Sequence, residues 1–308
     1  LEQQNFTTST DSYNVAVGYT AGLRVTTGVN NTLIGGLAGD ALTASSNNVA
    51  VGAVALTSET LGGRSVAIGS AALEAQNFTT ATNVNNVAVG FTAGQSVTTG
   101  IQNTLIGGLA GDAVTTGSYN VFLGYETGTY LVNSETTSGC TLVGSYTYTT
   151  TTDAVGAQAL GHSLAAAAGF TTVGYGASDI RAQNGVATWA TVSDERYKKD
   201  IVDSEAGLSF INALRPRTFK YKNLGELPET FRAYEEGSTE VFKNSETNHG
   251  FIAQEVKAAI DADNNIKDGF RLWDERDDGA QEVAEAALIP VLVKAIQELT
   301  ARIAALES

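Results

Sequence analysis

One short phrase is written repeatedly through the first two thirds of this chain. NVAVGYTAG, NTLIGGLAG, NNVAVGAVAL, SVAIGSAAL, NVAVGFTAG, NTLIGGLAG and NVFLGYETG share one shape, with glycines at Gly18, Gly35, Gly52, Gly69, Gly90, Gly107 and Gly124. The steps between those glycines are 17, 17, 17, 21, 17 and 17 residues, and looser copies follow at Gly144, Gly156 and Gly174. A longer period overlies the short one. Asn5–Ala41 recurs as Asn77–Ala113, an offset of 72, with 28 of 37 positions identical. Such periodicity excludes most globular folds, because each unit has too few apolar residues to bury a core alone. Stacked units cover one another and can.

Each unit reads as a short strand, a glycine and a Thr/Gly/Ser/Asn turn. The glycine is expected at a bend where a side chain would clash with the next coil. Asn14, Asn31, Asn48, Asn86, Asn103 and Asn120 each lie four residues before their glycine. Stacking would align them as a ladder of mutually hydrogen-bonded amides. Ten coils at about 4.8 Å each would make a rod roughly 50 Å long.

Composition breaks near residue 192. Residues 1–192 carry 10 acids, 3 arginines and no Lys or Pro, whereas 193–308 carry the remaining 23 acids, 15 bases and all three prolines. The net charge of −15 therefore averages two unlike parts. It argues against broad nucleic-acid binding, which needs a basic footprint. Cys140 stands alone, and His162 and His249 are the only histidines, so neither a disulfide framework nor a multi-cysteine zinc site is expected, and no metal or cofactor. No apolar run is long enough to cross a bilayer, no signal peptide is visible, and the absence of Met suggests a piece of a longer product.

The repeats resemble the YadA-like head repeat (SVAIGxxA) of trimeric adhesins and phage tail fibres, over about residues 10–178. The resemblance implies a trimeric left-handed parallel β-roll. The usual head unit is shorter than the 17 residues found here. GGLAGDA (Gly35–Ala41, Gly107–Ala113) suggests a phosphate or calcium loop. It lacks the Lys-Ser/Thr of the first and has one residue too many for the second, so a structural turn is expected. NFT at Asn5 and Asn77 matches a glycosylation sequon without a secretory context.

The second part opens on SDERYKKDI (Ser193–Ile201) and continues through LSFINALRPRTFKYK and HGFIAQEV to the tail ALIPVLVKAIQELTARIAAL. Leu208, Ile211 and Leu214 have helical spacing, with Pro216 as a stop. From about residue 282 the tail carries a heptad seam of Ile289, Leu292, Ile296, Leu299, Ile303 and Leu306, with Pro290 in its first turn. These four blocks resemble the self-cleaving intramolecular chaperone domain that ends phage tailspikes and fibres, including endosialidases. The expected organisation is a mainly β rod over 1–192, then an α+β chaperone-peptidase domain over 193–308 ending in a coiled coil.

The resemblance implies cleavage of the Val192–Ser193 bond, with Ser193 as nucleophile and Lys198 as general base. A serine hydroxyl is a poor nucleophile until a base removes its proton. Lysine can act only when neutral, a form favoured by burial in an assembled trimer and by the cations Arg196 and Lys199. Asp194 and Arg196 are expected to order the loop. His249 and Gln254 match a family motif and receive supporting places without a catalytic step. The seam alone would suit a dimer, and the three-fold β-roll outweighs that preference.

The implied protein is the C-terminal part of a phage tail fibre or spike, a homotrimer assembled in the host cytoplasm and carried on the virion. Its further partner would be a host-surface glycan or protein receptor. The alternative is a cell-surface trimeric adhesin whose β-roll is itself the host- or glycan-binding module. Tyr13, Tyr119, Tyr125, Tyr130, Tyr146 and Tyr148 could contact sugar, although a solvated rod surface is the preferred expectation. A polysaccharide-degrading activity would need paired carboxylates in a groove, and the rod has few acids.

Overall fold

The structure is a computed structural model and describes residues 1–129, 135–264, 266 and 271–307. The chain divides into two compact units, Leu1–Asp194 and Glu195–Ser308.

The first unit is a β-solenoid of about nine turns. Three-residue strands such as Val15–Val17, Thr32–Ile34 and Val49–Val51 pair in parallel, each one coil above the last. Register is strict: Ala16 faces Leu33, which faces Ala50, then Ala67 and Ala88. The middle residue of each strand points inward, and Leu33, Ala50, Ala67, Ala88, Leu105, Phe122 and Leu142 are all fully buried. Large side chains alternate between strand and corner along the stack. Leu33, Leu105 and Phe122 press on corner glycines Gly39, Gly111 and Gly128, whereas the coils of Ala50 and Ala67 carry Leu56 and Leu73 at that corner.

The bend glycines behave as expected. At Gly52, φ is +139° and an added Cβ would lie 2.3 Å from the carbonyl oxygen of Gly69. The same carbonyl-over-glycine approach repeats at Gly18, Gly35, Gly69, Gly90 and Gly107. Gly156 departs from the expected series: its φ is +64°, and the bend glycine of that coil is Gly161, at φ +147°. The GGLAGDA segments are corner turns, as expected.

The asparagine ladder forms, but with a different bonding pattern from the one expected. Each Oδ1 accepts the backbone N–H of the residue one coil on: Asn31 to Asn14 at 2.8 Å, Asn48 to Asn31 at 3.0 Å, and Asn103 to Asn86 at 2.9 Å. Nδ2 is spent mainly on turn carbonyls, as from Asn103 to Gly117 at 2.9 Å. An amide has both an acceptor and donors, so one side chain can satisfy backbone groups of the next coil and of its own turn. Ser65 and Cys140 take asparagine's place in two coils, and their N–H groups still donate to Asn48 and Asn120.

The parallel stack ends at Phe170–Tyr175. There the chain reverses into Ser178–Gln183, and Ala190–Thr191 adds a second antiparallel pairing. A two-residue turn at Gly176 and Ala177, with Gly176 at φ +55°, makes the reversal. This hairpin carries no repeat signal and falls inside the region read as uniform β-roll.

In the second unit, helices α1 (Leu208–Ala213), α2 (Ala253–Ala262) and α3 (Leu288–Glu307) surround a small core. Ala206, Phe210, Val256, Ile260, Leu272, Leu288 and Val291 fill it. Strand Arg217–Phe219 pairs with Asn248–Gly250, and Trp273–Glu275 with Gln281–Val283, both antiparallel. The start of α1 has no side-chain cap of its own; Glu298 of α3 accepts the Leu208 N–H at 3.0 Å instead.

Candidate processing site

The segment around the expected scissile bond is built from the end of the hairpin. Thr191 pairs with Ile180, and its hydroxyl donates to the Asp179 carbonyl at 3.1 Å. Val192 follows at 52% exposure, and Ser193 is likewise exposed. Glu195–Tyr197 then form one 3-10 turn, closed by the Lys198 N–H donating to the Glu195 carbonyl at 2.9 Å. Asp194 is half-buried, and Arg196, Lys198 and Lys199 are exposed. The bond thus lies on accessible chain, two residues before the division between the compact units.

The other motif residues lie elsewhere in the second unit. His249 stands opposite Thr218 on the small sheet, beside a cleft of about 430 Å³ lined also by Pro216, Arg217, Phe251 and Glu285. Gln254 is exposed in the first turn of α2. Sequence reasoning passed over the residue next to it. Glu255 takes a fork of bonds from Arg217, through Nε at 2.9 Å and through Nη2, and Arg215 lies 3.7 Å away. The hydrogen bond from Arg217 holds the Glu255 carboxyl below the usual glutamate range and raises the guanidinium. This pair ties the RTFKYK strand to the helix of the FIAQEV block. The opposite charges were visible in the sequence; their meeting across 38 positions was not.

Helix α3 has two apolar faces. Leu288, Val291 and Ala295 are buried against the unit's own core. The heptad residues Ile289, Leu292, Ile296, Leu299, Ile303 and Leu306 are 43–87% exposed. Pro290 sits in the first turn, where a missing N–H costs nothing. Among the described residues no cluster of potential metal ligands occurs, and no helix is long and apolar enough to cross a membrane.

Residues 193–264 match the family model of the chaperone of endosialidase, a peptidase family. The match begins on Ser193 itself. At the level of the family it implies a self-cleaving peptidase. With the β-solenoid before it, the chain fits a tail-fibre-like protein carrying an intramolecular chaperone. No curated protein and no solved structure matches the chain.

Proposed function

We propose that this chain is the C-terminal part of a phage tail fibre or spike whose chaperone domain assembles the rod as a homotrimer and then releases itself by cutting Val192–Ser193. One observation carries the reading: the compact-unit boundary and the start of the family match fall within two residues of each other and of that bond.

In this mechanism Lys198 Nζ takes the proton of Ser193 Oγ, which attacks the carbonyl carbon of Val192. The Val192–Ser193 C–N bond breaks, and the freed amine of Ser193 accepts a proton. The acyl group is then an ester on Ser193 Oγ, and water hydrolyses it to the carboxylate of Val192 and a restored serine. The reaction is a single turnover with no external substrate. Asp194 and Arg196 order the loop, and His249 and Gln254 support the domain.

The exposed α3 seam supports the trimer, as does the outer face of the rod's sheet, where Val17, Ile34, Ile68, Ile106 and Leu160 are 38–57% exposed. Parallel sheets are ordinarily covered on both faces. Trimerisation at the seam would fix chain register before the coils zip. Removing the chaperone afterwards would leave a rod protected by a slow unfolding rate. On the virion, the rod would present its surface to a host glycan or protein receptor.

The test is expression of the full chain beside Ser193→Ala and Lys198→Ala, compared on a denaturing gel. Wild type gives two fragments, and each variant gives one band while still forming trimers. An uncut wild-type trimer overturns the mechanism, and normal cutting by Lys198→Ala removes lysine from it.

A further inference from the structure

The residues seven positions after Gly18, Gly35, Gly52, Gly69, Gly90 and Gly107 stack into a column inside the rod: Val25, Leu42, Glu59, Gln76, Val97 and Val114, all with 0% exposure. Four are aliphatic. The two polar members are consecutive, and they are bonded to each other.

Glu59 Oε1 accepts four backbone N–H groups, from Thr60 at 2.9 Å, Leu61 at 3.1 Å, Gly62 at 2.6 Å and Phe78 at 3.1 Å. Its Oε2 accepts from Gln76 Nε2 at 2.9 Å. Gln76 Nε2 also donates to Ser65 Oγ at 3.1 Å, and Gln76 Oε1 accepts from Asn86 at 2.9 Å. A buried carboxylate is tolerated only when bonded this fully. Gln4 sits at the equivalent position of the longer repeat, 72 residues earlier. Its amide nitrogen is buried without a hydrogen-bond partner.

We propose that the Glu59–Gln76 pair is the register key of the rod, the contact that prevents one coil from being skipped during folding. The rest of the sequence invites that error. Strands Val49–Val51 and Val87–Val89 are both VAV. If the coil of Val66–Ile68 were looped out, they would stack directly, and Asn48 would meet Asn86, restoring the ladder that Ser65 interrupts. The bend glycines would still match, and closing a loop of this length costs little. What the skipped register cannot supply is a partner for Glu59, which would face Val97 and lose both Gln76 and the Phe78 N–H. A single polar contact in an apolar column specifying register is the best-attested use of such groups.

The experiment reads register directly in the full chain, with Cys140→Ser as background. Ala53, Ser70 and Phe91 each follow a bend glycine and lie on successive coils. In the native register Ala53 and Phe91 are two coil rises apart, about 9.6 Å, beyond the roughly 7 Å Cα limit for a disulfide. Skipping one coil makes them neighbours. Ala53→Cys/Phe91→Cys therefore gives no disulfide peptide by mass spectrometry when Glu59 and Gln76 are present. Adding Glu59→Leu/Gln76→Leu, which completes the aliphatic column, produces that disulfide and reduces the crosslink of the native-register pair Ala53→Cys/Ser70→Cys. A merely stabilising role would shift melting without creating the skipped-register crosslink. Gln76→Leu alone, which leaves the four backbone bonds to Glu59 in place, is read in the same way should the double variant not fold. The proposal is overturned if the folded variant shows only the native crosslink.

Discussion

Asn103 accepts the backbone N–H of Asn120 on its Oδ1 at 3.1 Å, and the Asn120 amide at 3.0 Å on the same oxygen. Both residues are fully buried, so one side chain in one coil satisfies donors of the next where water cannot. Asn103→Ala strands the Asn120 backbone N–H and the Gly117 carbonyl and leaves the Asn120 amide only its bond to the Thr137 carbonyl. At about 1–3 kcal/mol for a buried group left unpaired, the loss is expected near 3 kcal/mol, read as a lowered melting temperature. Thr99→Ala, at an exposed turn position with ordinary backbone, should change it little.

The bend glycines give a contrasting pair of neighbours. Gly35→Ala places a Cβ 2.3 Å from the Gly52 carbonyl oxygen, whereas at Gly36 an added Cβ meets nothing within 4 Å. Strained backbone alone costs about 1–3 kcal/mol, and the clash with fixed backbone adds to it. Gly35→Ala should abolish or severely reduce soluble rod, while Gly36→Ala accumulates normally. Equal yields would show that the coil spacing is softer than the structure implies.

Cys140 should be chemically silent. Its side chain is fully buried, and burial pushes the thiol up from its ordinary value, away from the reactive thiolate. A thiol reagent at pH 8 should label it only after denaturation. Rapid labelling of the native chain would place local opening in that coil.

Acid should loosen the second unit through Glu255. Its carboxyl titrates below the ordinary glutamate range because Arg217 is bonded to it. A lowered native value stabilises above the unfolded value, and that contribution disappears as pH falls through the native one. Tryptophan fluorescence of Trp273 in a Trp189→Phe chain should therefore report lower stability on acidification below about pH 4.5. Glu255→Gln should flatten this part of the profile and lower stability at neutral pH.

The α3 seam separates assembly from domain folding. Ile296→Asp with Ile303→Asp alters only exposed positions, so circular dichroism should be retained. Sedimentation should then show loss of the proposed trimer. Val291→Asp, at a position 3% exposed in the unit's own core, should instead unfold the domain.

Periodicity made the rod legible because the contacts that build a solenoid recur at fixed sequence distance. The bend at Gly52 and the column through Asn48 could be placed from spacing alone. What spacing could not show was the direction of the amide bonds, since Asn31 has an acceptor and two donors and only geometry assigns them. The closing hairpin at Gly176 was hidden because it occurs once. Similarly, Ser193 and Lys198 are proposed from motif order, whereas Arg217–Glu255 depends on tertiary contact and leaves no local pattern.

The hairpin at Tyr175–Ser178 has a consequence for aggregation. A parallel stack of identical phrases is a template: whatever strand lies last offers its free edge to any other copy of the phrase, in the manner of a seeding fibril. Strand Ser178–Gln183 runs the opposite way and reads SDIRAQ, with Asp179 opposite the bend glycine Gly174 and Arg181 opposite Thr172. Its outer edge is already taken over Ile180 and Arg181 by the two-residue strand Ala190–Thr191, so an incoming coil finds no full-length parallel strand to pair with there. The one segment that breaks the repeat thus blocks open-ended stacking at that edge, in a chain whose self-similarity would otherwise favour it.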